Sequence, residues 1–128
     1  MGNNSELQVI TKAKDLASYV LTITQKSPKH FRYTFVNRMQ NLSLDIITDL
    51  FKANDIYITK GKTNAMRIRQ SYQQNALSNL RILSYISLLA MEQKCILMKQ
   101  YEIISKFSAD CQNMVGAWII SDNKRMNN

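Results

Sequence analysis

Apolar residues recur at three- and four-residue steps through most of this chain, the spacing that lines one face of an α-helix. From Glu6 to about Lys26, the positions Ile10, Ala13, Ala17, Val20 and Leu21 mark such a face, with Lys12, Lys14 and Asp15 between them, and predict a first helix. Ser27-Pro28 interrupts the period, since serine suits an N-cap and proline suits a first helical turn, where its missing N–H costs nothing. A second helix is expected over 28–57 on a near-heptad stripe of Phe31, Phe35, Met39, Leu42, Ile46, Leu50 and Ala53. At ~1.5 Å per residue that helix spans roughly 45 Å.

Thr59-Lys60-Gly61-Lys62-Thr63 is the glycine-bearing polar break in the middle of the chain and reads as the link of a helix hairpin. Beyond it, Ile68, Tyr72, Ala76, Leu80, Leu83, Ile86 and Ala90 predict a third helix over 63–93. A fourth over 98–122 follows from Tyr101, Ile104, Phe107, Cys111, Met114 and Trp118. Four helices with short links make an all-α, antiparallel up-down-up-down four-helix bundle the simplest topology, one domain over 1–128.

Composition agrees with that fold. A hydrophobic share of 45% argues against disorder, and three Gly with one Pro supply too little turn chemistry for an all-β chain. No basic-then-apolar leader is visible and no stretch approaches the length of a membrane span, so a cytoplasmic protein with no membrane partner is expected.

Charge changes the picture more. The chain carries 17 Lys+Arg against 9 Asp+Glu, a net +8, with a pI near 9.7. Residues 58–91 hold Lys60, Lys62, Arg67, Arg69 and Arg81 and no acid, so most of the excess belongs to one link and one helix. On a helical wheel, Arg67, Gln74 and Arg81 share a line, with Gln70, Ser71, Ser78 and Tyr85 beside it, opposite a core stripe of Ile68, Tyr72, Leu83 and Ile86. Lys52 has Asp49 and Asp55 within a helical turn, whereas Arg67, Arg69 and Arg81 have no such neighbour and read as cations left for a partner. Arginine forks suit phosphate, and glutamine, serine and tyrosine hydrogen-bond sugar and phosphate oxygens. The alternative is a merely solvated charged face.

Catalytic signatures fail one by one. His30 is the single histidine, too few for a nucleophile, base and orienting group, and no arginine precedes it as the helical nucleases of the HEPN type require. Gly61-Lys62-Thr63 mimics the end of a phosphate-binding loop, but the glycine needed five residues earlier is Ile56. Glu6, Glu92 and Glu102 lack the histidine three residues on that a di-metal bundle uses, and Cys95, Cys111 and His30 cannot supply four zinc ligands. Cys111 reads as a small core residue, Cys95 as a more exposed thiol at a helix end. No catalytic residue, cofactor or metal site is expected. Gly116 lies inside the fourth helix beside Trp118, which predicts close approach of another helix there, either within the chain or from a second subunit.

Three segments carry a likeness: Arg38-Met39-Gln40-Asn41-Leu42-Ser43-Leu44-Asp45-Ile46-Ile47, Met91-Glu92-Gln93-Lys94-Cys95-Ile96-Leu97-Met98-Lys99-Gln100-Tyr101, and Gly116-Ala117-Trp118-Ile119 with the basic tail behind it. Through them the chain resembles, from about Lys12 to Arg125, a bacterial family of four-helix bundles. That family includes the accessory variability determinant (Avd) of diversity-generating retroelements and the proteins encoded in intervening sequences of 23S ribosomal RNA genes. The resemblance implies a homopentameric ring of antiparallel bundles with a basic surface. For the retroelement branch it further implies a non-enzymatic partner of a reverse transcriptase and its template RNA, supporting mutagenic cDNA synthesis. Lys124 and Arg125 match the family's basic ending, whereas Lys94 and Met98 stand where relatives often carry Gly or Pro. The expected RNA contacts are thus Lys60, Lys62, Arg67, Arg69, Arg81, Lys124 and Arg125. The competing expectation, from the ribosomal branch, is a structural scaffold that binds acidic protein partners.

Overall fold

Two breaks in the apolar period, at Ser27-Pro28 and at Thr59–Thr63, and a third where Lys94 ends the period, divide a computed structural model of the chain into four long helices. They are α1 (Gly2–Thr24), α2 (Asn37–Asp55), α3 (Thr63–Glu92) and α4 (Met98–Asn127). The structure describes residues 2–127, with side chains from Gln8 onward; Met1 and Asn128, the ends of the expected domain, lie outside the described residues. Among the described residues there is no strand, and no helix is long and apolar enough to cross a membrane. α1 packs on α2 and α4, and α3 packs on the same two, which closes a four-helix bundle.

The core is aliphatic: Leu16 and Val20 from α1, Met39, Ile46 and Leu50 from α2, Leu80 and Leu83 from α3, and Ile104 and Val115 from α4 are fully enclosed. Each such side chain stabilises the bundle by about 1.5–3 kcal/mol relative to exposure. In α3 the buried positions run Met66, Arg69, Gln73, Ala76, Leu80, Leu83, Ser87 and Ala90, an unbroken alternation of three- and four-residue steps in which Arg69, Gln73 and Ser87 are polar. Of the expected stripe, Ala76, Leu80, Leu83 and Ala90 lie in this line, whereas Ile68 is 43% exposed and Tyr72 and Ile86 are only half-buried at its edge. The seam of α4 differs likewise, with Ser108, Val115 and Asp122 inside and Tyr101, Phe107 and Met114 half-buried. Ser108 is admissible there because its Oγ donates to the Leu80 carbonyl at 2.9 Å.

The second helix does not begin at Pro28. Lys29–Phe31 form a single 3₁₀ turn and Arg32–Val36 a wide π-helical turn, closed by the Asn37 N–H donating to the Arg32 carbonyl, before α2 proper starts. Two successive four-residue apolar steps, Phe31 to Phe35 to Met39, overshoot an ideal α-helix, and a wider turn keeps both phenylalanines against the core. Ser27 does not cap a helix. Its Oγ donates to the Cys95 carbonyl at 2.9 Å and so ties the α1–α2 link to the α3–α4 link.

That second link is a Schellman closure: the Cys95 N–H donates to the Ala90 carbonyl at 2.8 Å and the Lys94 N–H to the Met91 carbonyl at 3.0 Å. Lys94 sits at φ 68, the left-handed conformation that ordinarily selects glycine. Cys95 is buried rather than exposed, because the closure turns it inward. Gly61, at φ 85, makes the corresponding reversal between α2 and α3. Within the chain no other helix approaches Gly116 closely, since a Cβ built on it meets nothing within 4 Å.

Candidate polyanion-binding surface

Because α3 turns its heptad stripe inward, the opposite line faces solvent along its whole length. Arg67, Gln74 and Arg81 are exposed on it, with Ser71, Ser78 and Tyr85 exposed alongside and Gln70 half-buried. Arg67 and Arg81 lie roughly 21 Å apart along the helix axis at ~1.5 Å per residue. Among the described residues neither makes an ion pair or a side-chain hydrogen bond. Lys60 and Lys62 flank Gly61 in the exposed link, and Lys124 and Arg125 are exposed in the last turn of α4, where cations also complement the helix dipole.

Arg69 does not belong to this surface. It is 3% exposed, and its Nε and Nη2 each donate at 2.8 Å to separate carboxylate oxygens of Asp122. Its Nη1 donates to the Ile56 carbonyl at 3.0 Å, and its guanidinium lies 5.0 Å from the centre of the Trp118 ring. Gln73 Nε2 completes the Asp122 shell at 3.0 Å. Two charges can leave water only when fork, carboxylate and neighbouring donors satisfy one another, as they do here. The acid that pairs with Arg69 is 53 residues away in sequence, so no inspection within a helical turn finds it.

The buried pair nevertheless shapes the surface. It fastens the first turns of α3, the end of α4 and the chain just after α2, and so gathers Lys60, Lys62 and Arg67 with Lys124 and Arg125 at one end of the bundle. Lys52, which acts on the neighbouring Asp49, also holds its ammonium 5.7 Å from the Tyr72 ring centre.

On the α2 side the basic line is bordered by a cleft of about 330 Å³ lined by Asp45, Thr48, Asp49, Lys52, Asn75, Ser78 and Asn79. Asn79 Nδ2 donates to Asp49 at 3.1 Å. Burial pushes the Asp49 carboxyl above its ordinary pKa, with the neighbouring Asp45 adding to the shift and Asn79 and Lys52 opposing it. Those carboxylates limit a phosphate track to the outer ridge of α3. The α1–α4 groove is self-paired by contrast: Lys12 lies 3.7 Å from Asp110 and 5.4 Å from the Phe107 ring centre.

Counting charge over 28–57 as one segment hides a second acid-free run. Between Asp15 and Asp45 lie Lys26, Lys29, Arg32 and Arg38, with His30, and no acid at all. All five are exposed. The signal is present in the sequence, but the three aspartates of the second half of α2 cancel it when the helix is counted whole.

His30 is exposed against Phe31 at 4.0 Å between ring centres, and burial pushes both cysteine thiols up, Cys111 to about 12. Among the described residues no group of three or more His, Cys, Asp or Glu side chains could hold a metal ion. No family model, curated protein or solved structure matches the chain.

Proposed function

We propose that this chain is a non-enzymatic, RNA-binding accessory subunit of a diversity-generating retroelement reverse transcriptase, supporting mutagenic cDNA synthesis by holding template RNA through phosphate contacts. The observation that carries the polyanion reading is the pair Arg67 and Arg81, exposed on one ridge with no ion pair among the described residues. Lys60, Lys62, Lys124 and Arg125 extend it, and Arg69 is withdrawn from it. The retroelement assignment, the reverse transcriptase partner and a cytoplasmic setting rest on the sequence resemblance. In this reading the helices alternate in direction, as the Arg69–Asp122, Ser108–Leu80 and Ser27–Cys95 bonds favour, and bundles assemble into a homopentameric ring.

A second reading, a structural scaffold of the ribosomal intervening-sequence type, is favoured by one feature. Past Arg81 the same ridge turns apolar, with Ile82, Tyr85 and Leu89 exposed, which suits a protein surface better than a phosphate chain. Filter binding of RNA at low salt separates the two. On the first reading, wild-type affinity falls steeply as salt rises, and Arg67→Glu with Arg81→Glu abolishes binding. Absence of RNA affinity at low salt supports the scaffold, and undiminished binding by the double variant removes the ridge from the RNA site.

A further inference from the structure

The π-helical turn between α1 and α2 does more than absorb a mismatch in the apolar period. Phe31 and Phe35, 5.6 Å apart between ring centres, turn inward against the core, and Tyr33 between them turns outward, 83% exposed. Its backbone is held from several sides. The Phe31 N–H donates to the Pro28 carbonyl at 3.0 Å, Thr34 Oγ1 to the Phe31 carbonyl at 3.3 Å, and Ser27 anchors the segment to Cys95. A cleft of about 370 Å³ opens beside the ring, lined by Tyr33, Thr34, Phe35, Asn37, Arg38 and Ile86. Asn37 Oδ1 accepts from Asn41 Nδ2 at 3.2 Å, which leaves the Asn37 amide nitrogen for a ligand. Arg38 lines the cleft, and Lys29, His30 and Arg32, all exposed, precede it in the same acid-free run.

We propose that this turn is a second RNA contact that accepts an unpaired base: the base stacks on Tyr33, Asn37 meets its edge, and Lys29, Arg32 and Arg38 hold the flanking phosphates. The proposal rests on the RNA-binding reading above and adds to it a preference for single-stranded over duplex segments. An exposed aromatic ring beside an uncompensated cationic track is the pairing that sequence-tolerant single-strand binding uses, and stacking needs a base that is not already stacked in a duplex. A membrane or a second copy of the chain fits less well, because Phe35 and Ile86 in the cleft are half-buried and the exposed residues about Tyr33 are Arg32, Thr34, Asn37 and Arg38. π-helical turns are rare, and those that persist are concentrated at functional sites.

The test compares wild type, Tyr33→Ala, Tyr33→Phe and the Arg67→Glu/Arg81→Glu variant. Each is titrated against a short single-stranded oligoribonucleotide carrying a fluorescent adenine analogue, and against the same strand in a duplex. Tyr33→Ala is expected to weaken single-strand binding by roughly 5- to 150-fold and to lose the quenching of the stacked analogue, with Tyr33→Phe near wild type and duplex binding unchanged. Equal single-strand affinity in Tyr33→Ala, or an equal loss on duplex, overturns the stacking site while leaving the ridge in place. A wild type that binds neither RNA at low salt overturns the RNA reading itself. Wild-type binding to anionic vesicles, or subunit association, that disappears in Tyr33→Ala without a change in RNA affinity assigns the turn to a membrane or to a second copy and overturns the proposal.

Discussion

Arg69 and Asp122 meet as a two-pronged ion pair inside the bundle, Nε to Oδ2 and Nη2 to Oδ1, both at 2.8 Å, with both side chains almost wholly enclosed. Removing one member leaves the other charged and unpaired in the core, so Arg69→Met or Asp122→Leu alone lowers the free energy of unfolding by about 3–5 kcal/mol. The double variant Arg69→Met/Asp122→Leu recovers most of that loss, since apolar residues of similar volume commonly replace a buried pair without penalty. Urea denaturation measures all three. Single variants within about 0.5 kcal/mol of wild type, the range of ordinary surface changes, contradict a buried pair.

The exposed cations behave in the opposite way. Lys60→Ala, Lys62→Ala, Lys124→Ala and Arg125→Ala leave stability within about 0.5 kcal/mol of wild type, as surface changes do. Each that contacts a phosphate reduces the slope of log affinity against log salt by about 0.7–0.9. A salt titration of RNA binding reads the slope, and a position whose replacement leaves it unchanged makes no phosphate contact.

Two glycine exchanges of opposite sense are expected to stabilise the fold. Lys94 adopts φ 68 at the closure of α3, a conformation that costs a side-chain-bearing residue about 1–2 kcal/mol, so Lys94→Gly raises stability by up to about that amount. At Gly116 a Cβ meets nothing within 4 Å, and Gly116→Ala gains about 0.8–1.0 kcal/mol of helix propensity. Thermal unfolding reports both. A decrease for Gly116→Ala contradicts open space at that position.

Cys111 makes stability sensitive to alkali. Burial, the dominant effect, raises its thiol from an ordinary 9.0 to about 12, with Asp110 and Asp15 adding to the shift and Lys12 opposing it. Above pH 9 the unfolded chain loses this proton while the folded chain keeps it, so folding stability falls as pH rises from about 9 towards 12. The slope is at most about 1.4 kcal/mol per pH unit. Tyrosines and lysines titrate there too, so the measurement is the difference between wild type and Cys111→Ala. Parallel pH profiles for the two proteins contradict a raised Cys111 thiol.

Helix number and rough extent were legible because they depend on local quantities: an apolar period of three and four, a proline, a glycine link and a closing turn. α3 at Thr63–Glu92 and α4 from Met98 begin where the pattern places them. The π-helical turn was not read, though its cause, two consecutive four-residue steps at Phe31, Phe35 and Met39, is written in the chain. The outward ridge of Arg67, Gln74 and Arg81 was legible together with the inner positions Ala76, Leu80, Leu83 and Ala90, since both faces follow from one wheel.

What the sequence alone determined is therefore the helical inventory and the surplus of cations over carboxylates in residues 58–91. Only the tertiary structure decided which of those cations are available. Arg69 is as basic as Arg67 two residues earlier, but it faces the core, where Asp122 arrives from the far end of another helix. Hydrophobic periodicity cannot show such a position, because a charged side chain is admitted to the interior here through a partner distant in sequence. That partner exists only once the helices have packed.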